Sequence, residues 1–306
     1  MPTNNSINSQ DPIQVSKGGT GLNTVAQGDL LIASASNTLA SLPKDTNSTR
    51  YLSNTGVNNA PAYAQVNLSN GVTGTLPIGN GGTGKTTGAF TSVNVQIFTS
   101  NGTYTPSTGL LQAMIECVGG GGGGGGIGSS AGGNISLGSG GGGGAYARAL
   151  KTAAQVGASQ TVTVGSGGNG GAAGFNAGSN GTSTSVGTLC VANGGVGGGF
   201  NTAGTGFRVS GPGSAGSGGT GDLLVAGGVG AMAFGDSASA IVVGGSGGTS
   251  FYGGSAYPIY GGGAAAGNAG VLYGGGGGGA VGYNSASSFA GGNGANGIVI
   301  ITEYIA

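Results

Sequence analysis

Val118-Gly119-Gly120-Gly121-Gly122-Gly123-Gly124-Gly125-Gly126-Ile127 opens the part of the chain whose reading decides the fold. All but 14 of the 80 glycines lie from this run onward. A glycine share near one third suggests collagen, but the phase does not fit. The runs Gly119–Gly126, Gly140–Gly144, Gly261–Gly263 and Gly274–Gly279 break any strict G-X-Y register, and proline is scarce. Glycine loses the most backbone freedom on folding and brings no side chain to bury. The stretch must therefore stay disordered or pack backbone against backbone, with peptide hydrogen bonds in place of a core. Apolar β-like segments bracket it and aromatic residues punctuate it, which a flexible spacer does not need. The expectation is an ordered, loop-dominated tip.

The bracketing segments read as strands. Val93, Val95 and Ile97 alternate with Asn94 and Gln96, the period of a half-buried strand. Leu110–Val118 places Leu111, Ala113, Ile115 and Cys117 on one face, with Gln112 and Glu116 on the other. Ala145–Leu150, Thr161–Val164, Thr182–Val186, Leu189–Val191, Leu223–Ala226, Ile241–Val243 and Ile298–Ile305 are further strand candidates. Thr152–Val156 is the best candidate for a turn of helix. Strands at the two ends of the glycine stretch are expected to pair in a small sheet or sandwich that holds its ends together. The fold class is all-β: a short fibrous N-terminal repeat region, then a β-sandwich-like base bearing long glycine-rich loops. The glycine runs allow a three-residue-per-turn extended helix akin to polyproline II.

Upstream, residues 1–17 are polar and Asn-rich. Gly18-Gly19-Thr20-Gly21 returns at Gly81-Gly82-Thr83-Gly84. Between them, Gly28–Leu39, Arg50–Ser53 and Ala60–Ala64 are short β-prone pieces separated by Asn, Gly, Ser and Pro. Their apolar content is too small for a core of their own, and identical chains wrapped together would supply one. The expected organisation is an attachment arm (residues 1–30), shaft repeats (31–88) and a glycine-rich tip domain (89–306).

Composition narrows the function. The 306 residues carry seven cationic and seven anionic side chains, with no His and no Trp. No basic patch can be built from these, which argues against nucleic-acid and anionic-membrane partners. No run approaches the ~20 apolar residues of a membrane span, so no membrane insertion is expected. Met1-Pro2-Thr3-Asn4-Asn5 does not read as a signal peptide. Cys117 and Cys190 sit in apolar runs and read as small buried hydrophobes, with a disulfide between them as the alternative.

Gly79-Asn80-Gly81-Gly82-Thr83-Gly84-Lys85-Thr86 satisfies the P-loop pattern to the letter. A phosphate site would need a buried strand before it and a helix after it. Pro77 spoils the first, and alternating strand follows in place of the second. Glu116, Asp222, Asp236 and Glu303 are far apart in sequence, and Glu116 and Glu303 lie in scaffold strands where a half-exposed face or a pairing with Arg148 is the commoner role. Without His no Ser-His-Asp triad is possible. The chain reads as a non-enzyme with neither cofactor nor metal. Aromatics in the glycine stretch are either anchors or contact residues, since a loop tyrosine offers a flat apolar face with a hydroxyl. Phe251, Tyr252, Tyr257 and Tyr260 form the densest group and the first choice for a binding crest. Tyr273 and Tyr283 come second.

The Gly-Gly-Thr-Gly repeats, Gly28–Ala40, Ala60–Ala64 and Asn67–Pro77 resemble the repeat blocks of tailed-bacteriophage tail fibres. The second half resembles the glycine-rich C-terminal domain of such fibres. It is entered through Ile97-Phe98-Thr99-Ser100-Asn101-Gly102-Thr103-Tyr104-Thr105-Pro106 and closed by Gly294-Ala295-Asn296-Gly297-Ile298-Val299-Ile300-Ile301-Thr302-Glu303-Tyr304. The resemblance implies a homotrimer on the virion, its N-terminal arm on tail or baseplate proteins. The tip would then meet a host cell-surface glycan or outer-membrane protein. It also implies stacked polyglycine helices with recognition by the loops between them. The rival readings are a non-viral glycine-rich extracellular adhesive protein and a glycan-degrading tailspike.

Overall fold

The computed structural model describes residues 19–47, 50–54, 61–65 and 92–306. The chain divides into two units, Met1–Thr87 and Gly88–Ala306. Among the described residues the regular structure is β apart from one helical turn, Ala153–Val156. Thr152 and Gln155 close that turn with a reciprocal capping box, the reason a helix starts where the sequence turns from strand to Thr-x-x-Gln.

In the first unit, Leu30–Ala35 and Thr38–Leu42 form a hairpin turned through Asn37, whose φ is 56°. Tyr51–Ser53 pairs with Ala62–Ala64. Asp29 steadies the hairpin, accepting from Ser41 Oγ at 2.7 Å and from the Lys44 amide at 3.0 Å. None of the described residues of this unit is buried. Most of the predicted arm, and the P-loop-like segment 79–86, lie outside the described residues.

The second unit is built on a sandwich of two five-stranded sheets. The base sheet orders Leu223–Val225, Tyr146–Thr152, Leu110–Val118, Ile298–Ile305 and Ser92–Phe98. Its centre pairs the strand that enters the glycine stretch with the strand that leaves it, Ile115 opposite Ile301. The facing sheet orders Gly219–Thr220, Cys190–Ala192, Thr184–Val186, Gln160–Thr163 and Gly102–Tyr104. Period-two alternation sends Ala113, Ile115, Cys117, Ala147, Ala149, Val299 and Ile301 inward against Tyr104, Val162, Val186, Cys190 and Ala192. Leu111, expected on that inner face, is exposed at the end of its strand, where the pairing slips between Tyr304 and Ile305. Cys117 and Cys190 are free thiols in this core. The Cys190 thiol lies 3.4 Å from the Ala147 carbonyl, and hydrogen bonding to Cys190 together with burial pushes the Cys117 thiol far up.

Above the sandwich stands the glycine stretch, and it is not a set of loops. The amides of Gly119, Gly122 and Gly125 donate to Ala145, Gly142 and Ser139. Those of Gly120, Gly123 and Gly126 donate to Thr182, Ser179 and Asn176, and those of Gly121 and Gly124 to Ala295 and Gly292, all at 2.8–3.0 Å. The carbonyls repeat with the same period. Gly120 and Gly123 accept from Gly195 and Gly198, Gly121 and Gly124 from Gly168 and Gly171, Gly122 and Gly125 from Gly277 and Ala280. A three-residue repeat of partners defines an extended helix of the polyproline II type. Neighbours on every side saturate its backbone, which is what a buried chain without side chains requires.

This geometry explains why the residue must be glycine. A Cβ on Gly122, Gly123 or Gly124 would lie 2.2, 2.1 or 2.0 Å from the carbonyl oxygens of Val196, Asn169 and Gly278. Gly140–Gly144, Gly275–Gly277 and Gly279 are enclosed by backbone in the same way. Outer helices need glycine only where they face a neighbour. In 165–172 every third residue, Ser166, Asn169 and Ala172, is exposed. In 176–182 only Gly178 and Gly181 remain, against the carbonyls of Gly123 and Gly120. The local density of glycine thus reports how many sides of a helix are covered.

Asparagines serve the outer pairs. Gly170 and Gly167 donate to the side-chain oxygens of Asn293 and Asn296 at 2.8 and 2.9 Å. Asn293→Ala leaves the Gly170 amide without that acceptor, and the expected loss is about 1 kcal/mol. A lower urea midpoint at unchanged slope is the measurement that checks it.

Candidate functional site

The helices run alternately away from the sandwich and back. Chain segments therefore cross over at two ends, which the array, about 25 Å tall for an eight-residue run, holds apart. At the sandwich end, Ser250–Gly253 and Leu272–Tyr273 lie against the base sheet. Phe251 stacks on Tyr146 with ring centroids 4.1 Å apart, and Tyr252 meets both rings edge-on. Tyr273 packs against the small cluster of Val118, Tyr146 and Ile298. Glu116 faces Arg148 across the strands, and its carboxylate accepts from the hydroxyls of Tyr146 and Tyr252, the latter at 2.9 Å. Burial, reinforced by that carboxylate, pushes the Tyr252 hydroxyl up to about 12. Phe251, Tyr252 and Tyr273 are thus placed as anchors that pin loops to the sandwich.

The far end is different. Ile135–Gly138 pairs with Phe200–Gly204 and Val281–Tyr283 over a small core of Ile135, Leu137, Ala233, Val242 and Val281. Tyr283 packs against this core, half-buried. Over it lies a four-stranded sheet of Phe207–Ser210, Ala233–Asp236, Ile241–Val243 and Tyr260–Gly261. Alternation again decides what faces where. Ser210, Ala233, Gly235 and Val242 are buried against the core, so their neighbours point outward. Val209, Phe234, Val243 and Tyr260 make one row across the strands, and Phe207, Asp236 and Ile241 the next. Phe207 and Tyr260 are 70% and 74% exposed. Tyr257, 76% exposed, lies three residues before Tyr260, one turn of an extended helix.

This outward face is flat, aromatic and nearly uncharged. Its one ionisable side chain outside Tyr260, Asp236, is engaged by Ser239 Oγ at 2.8 Å and by the Ala238 amide at 3.2 Å. Those bonds hold its carboxyl below the usual range. Arg208, on the opposite face of the same strand, turns to Asn201 at 2.7 Å. Exposed aromatics concentrated on one side mark a contact surface more often than chance exposure does.

The structure therefore divides the six aromatics singled out from the sequence. Tyr260 belongs to the outer-end face, Tyr257 is exposed on the helix one turn before it, Tyr283 underlies that end, and Phe251, Tyr252 and Tyr273 sit at the opposite end. The single crest expected over residues 251–260 is split, because the helix between Gly253 and Ile259 carries the chain from one end of the array to the other. Phe207, Val209, Phe234 and Ile241 were missed as partners of Tyr260. Their strands are three or four residues long, and of these only Ile241–Val243 reads as a strand in the sequence. The carboxylates are dispersed: Glu303 is inside the sandwich, and Asp222 accepts from the Leu150 amide at 2.7 Å and pairs with Lys151. Among the described residues no group of three or more His, Cys, Asp or Glu is placed to hold a metal ion.

An all-β sandwich carrying a lattice of polyglycine helices defines the class of this protein. The glycine-rich domain family model matches residues 97–304, so the chain belongs to that family. The match runs from the last residues of Ser92–Phe98 almost to the end of the closing strand, and so covers sandwich and array together. No curated protein matches the chain.

Proposed function

We propose that this chain is a tail fibre of a tailed bacteriophage, a structural virion protein that attaches the particle to its host through the aromatic sheet at the outer end of the array. The observation that carries the reading is polarity. The strand entering from the N-terminal side, Ser92–Phe98, starts opposite Ile305, at the edge of the base sheet farthest from the array. The exposed face of Phe207, Phe234, Ile241 and Tyr260 closes the other end. Rigid scaffold lies between an entry point and a contact face, the arrangement an attachment protein needs. Loops and short strands on such a scaffold can change side chains without disturbing the lattice. The repeats before residue 88 support the fibre reading. The lack of burial among the described residues of Met1–Thr87 supports assembly as a homotrimer, anchored to tail or baseplate proteins by the arm. Several fibres on one particle turn weak contacts into avid attachment.

Binding of the purified full chain to host cells, in competition with phage adsorption, tests the reading. Saturable, competing binding is expected. Phe207→Ala and Tyr260→Ala are each expected to weaken it by about 1–2 kcal/mol, roughly five- to thirtyfold, without moving the melting temperature. Phe251→Ala at the opposite end is expected to leave binding unchanged and to lower stability by about 1 kcal/mol through the lost ring stack. Cells that bind no fibre, or binding indifferent to Phe207 and Tyr260, would count against the surface proposed.

A further inference from the structure

The base sheet has two faces, and the sandwich covers one. On the other, the Ser250–Gly253 loop roofs the part nearest the array. Beyond that roof the face is open and apolar: Val93, Val95, Ile97, Leu150 and Leu223 are 41–61% exposed. Five strands about 4.8 Å apart and about 3.3 Å per residue give this face roughly 400 Å² in plan. A patch of that size matches the largest patch on a typical monomer, which is often functional.

The edge of the sheet is equally unguarded. Ser92–Phe98 is the outermost strand on its side, seven residues long, with no charge and no proline. Edge strands meant to stay free are kept short, charged or interrupted. This one has none of those protections.

What covers it follows from the rest of the chain. The described residues of Met1–Thr87 include none that is buried, while Leu30, Leu31, Tyr51 and Leu52 are exposed. Two-stranded pieces of this kind are marginal by themselves. They gain a buried side when identical chains meet, and Ser92–Phe98 begins five residues after that unit ends. The open face also suits a copy of itself electrostatically. Its facing charges, Glu116 and Arg148, balance across the strands, so a second copy meets no net like charge.

We infer that the open face of the base sheet, centred on Val93, Val95 and Ile97, is where copies of this chain meet. It extends into the glycine-rich unit the self-association that the repeats need. The inference rests on the multichain part of the proposed function and adds its location. At roughly 400 Å² the face supplies about half of the ~800 Å² that each partner gives a stable pairing. The remainder falls to the repeats.

Sedimentation equilibrium of the full chain, wild type against Val95→Glu/Ile97→Glu, tests it. Both side chains point to solvent in the single chain, so the monomer is expected to keep its melting transition. Wild-type association with a dissociation constant raised at least about tenfold in the variant supports the seam. Association of the variant equal to wild type overturns the seam and leaves the multichain reading standing. A wild-type chain that stays monomeric at its highest soluble concentration overturns both. Should the double variant lose its melting transition, Ile97→Cys decides: covalent pairs on mild oxidation support the seam, and their absence overturns it.

Discussion

Gly122→Ala is expected to destabilise the glycine-rich unit by more than about 3 kcal/mol, beyond the usual cost of one added methyl in a core. The added Cβ would stand 2.2 Å from the Val196 oxygen and 2.5 Å from its carbonyl carbon. Neither atom can yield, because the same oxygen accepts from the Gly142 amide at 2.8 Å, and the Val196 amide donates to Ser214 at 3.0 Å. Relief would mean parting three helices at once. Against this, alanine narrows the unfolded ensemble, a gain of only about 0.4–1 kcal/mol. Gly263→Ala is the control, with open space around its Cβ and an ordinary φ, and is expected within about 0.5 kcal/mol of wild type. Urea unfolding followed by tyrosine fluorescence separates the two.

The second large effect belongs to Glu303, fully buried at the edge of the sandwich core. One carboxylate oxygen accepts from the Tyr104 hydroxyl and the Ser107 amide, both at 2.9 Å. The other accepts from Ser107 Oγ at 2.7 Å, Asn94 Nδ2 at 2.8 Å and Gln96 Nε2 at 3.3 Å. Glu303→Ala strands the buried Tyr104 hydroxyl and is expected to cost about 3 kcal/mol. The ring of donors also sets a pH dependence. Burial pushes this carboxyl up, but the bonds from Ser107, Asn94 and Tyr104 outweigh it, and the net position lies below the ordinary 4.5. A carboxyl held lower in the folded than in the unfolded chain contributes its full stabilisation above the unfolded value. That contribution is lost as pH falls through the folded one. Wild type is therefore expected to lose stability more steeply than Glu303→Gln between about pH 5 and pH 2. Parallel profiles would show that the carboxylate is not held ionised.

Much of this scaffold is legible in the sequence, for physical reasons. Leu110–Val118 and Ile298–Ile305 announce themselves by apolar run and alternation, and Thr152-x-x-Gln155 announces the helical turn. Their pairing across the glycine stretch follows from the need to hold its ends together. The array was legible only in part. Long runs such as Gly119–Gly126 permit polyglycine helices, but the mixed outer segments were read as loops. The signal that could have found them is glycine returning every third residue, as in Gly165–Gly171 or at Gly178 and Gly181, where each marks a side facing another backbone. The contact face was the least legible. Phe207, Phe234 and Tyr260 become neighbours only through strand pairings of two to four residues. Tyr252 and Tyr257, close in sequence, are separated by a helix that sequence proximity conceals.

The scaffold that holds the two ends apart depends on the glycine stretch being a hydrogen-bonded lattice. Amide hydrogen exchange on the native full chain tests that most directly, since exchange reports local opening free energies up to the global value. The amides of Gly119–Gly126, Gly140–Gly144 and Gly275–Gly279 are expected among the slowest in the molecule, matching Ile115 and Ile301 in the base sheet. Exchange of those glycines at the rate of an unstructured peptide, while the base sheet stays protected, would contradict the lattice and reduce the stretch to a tether.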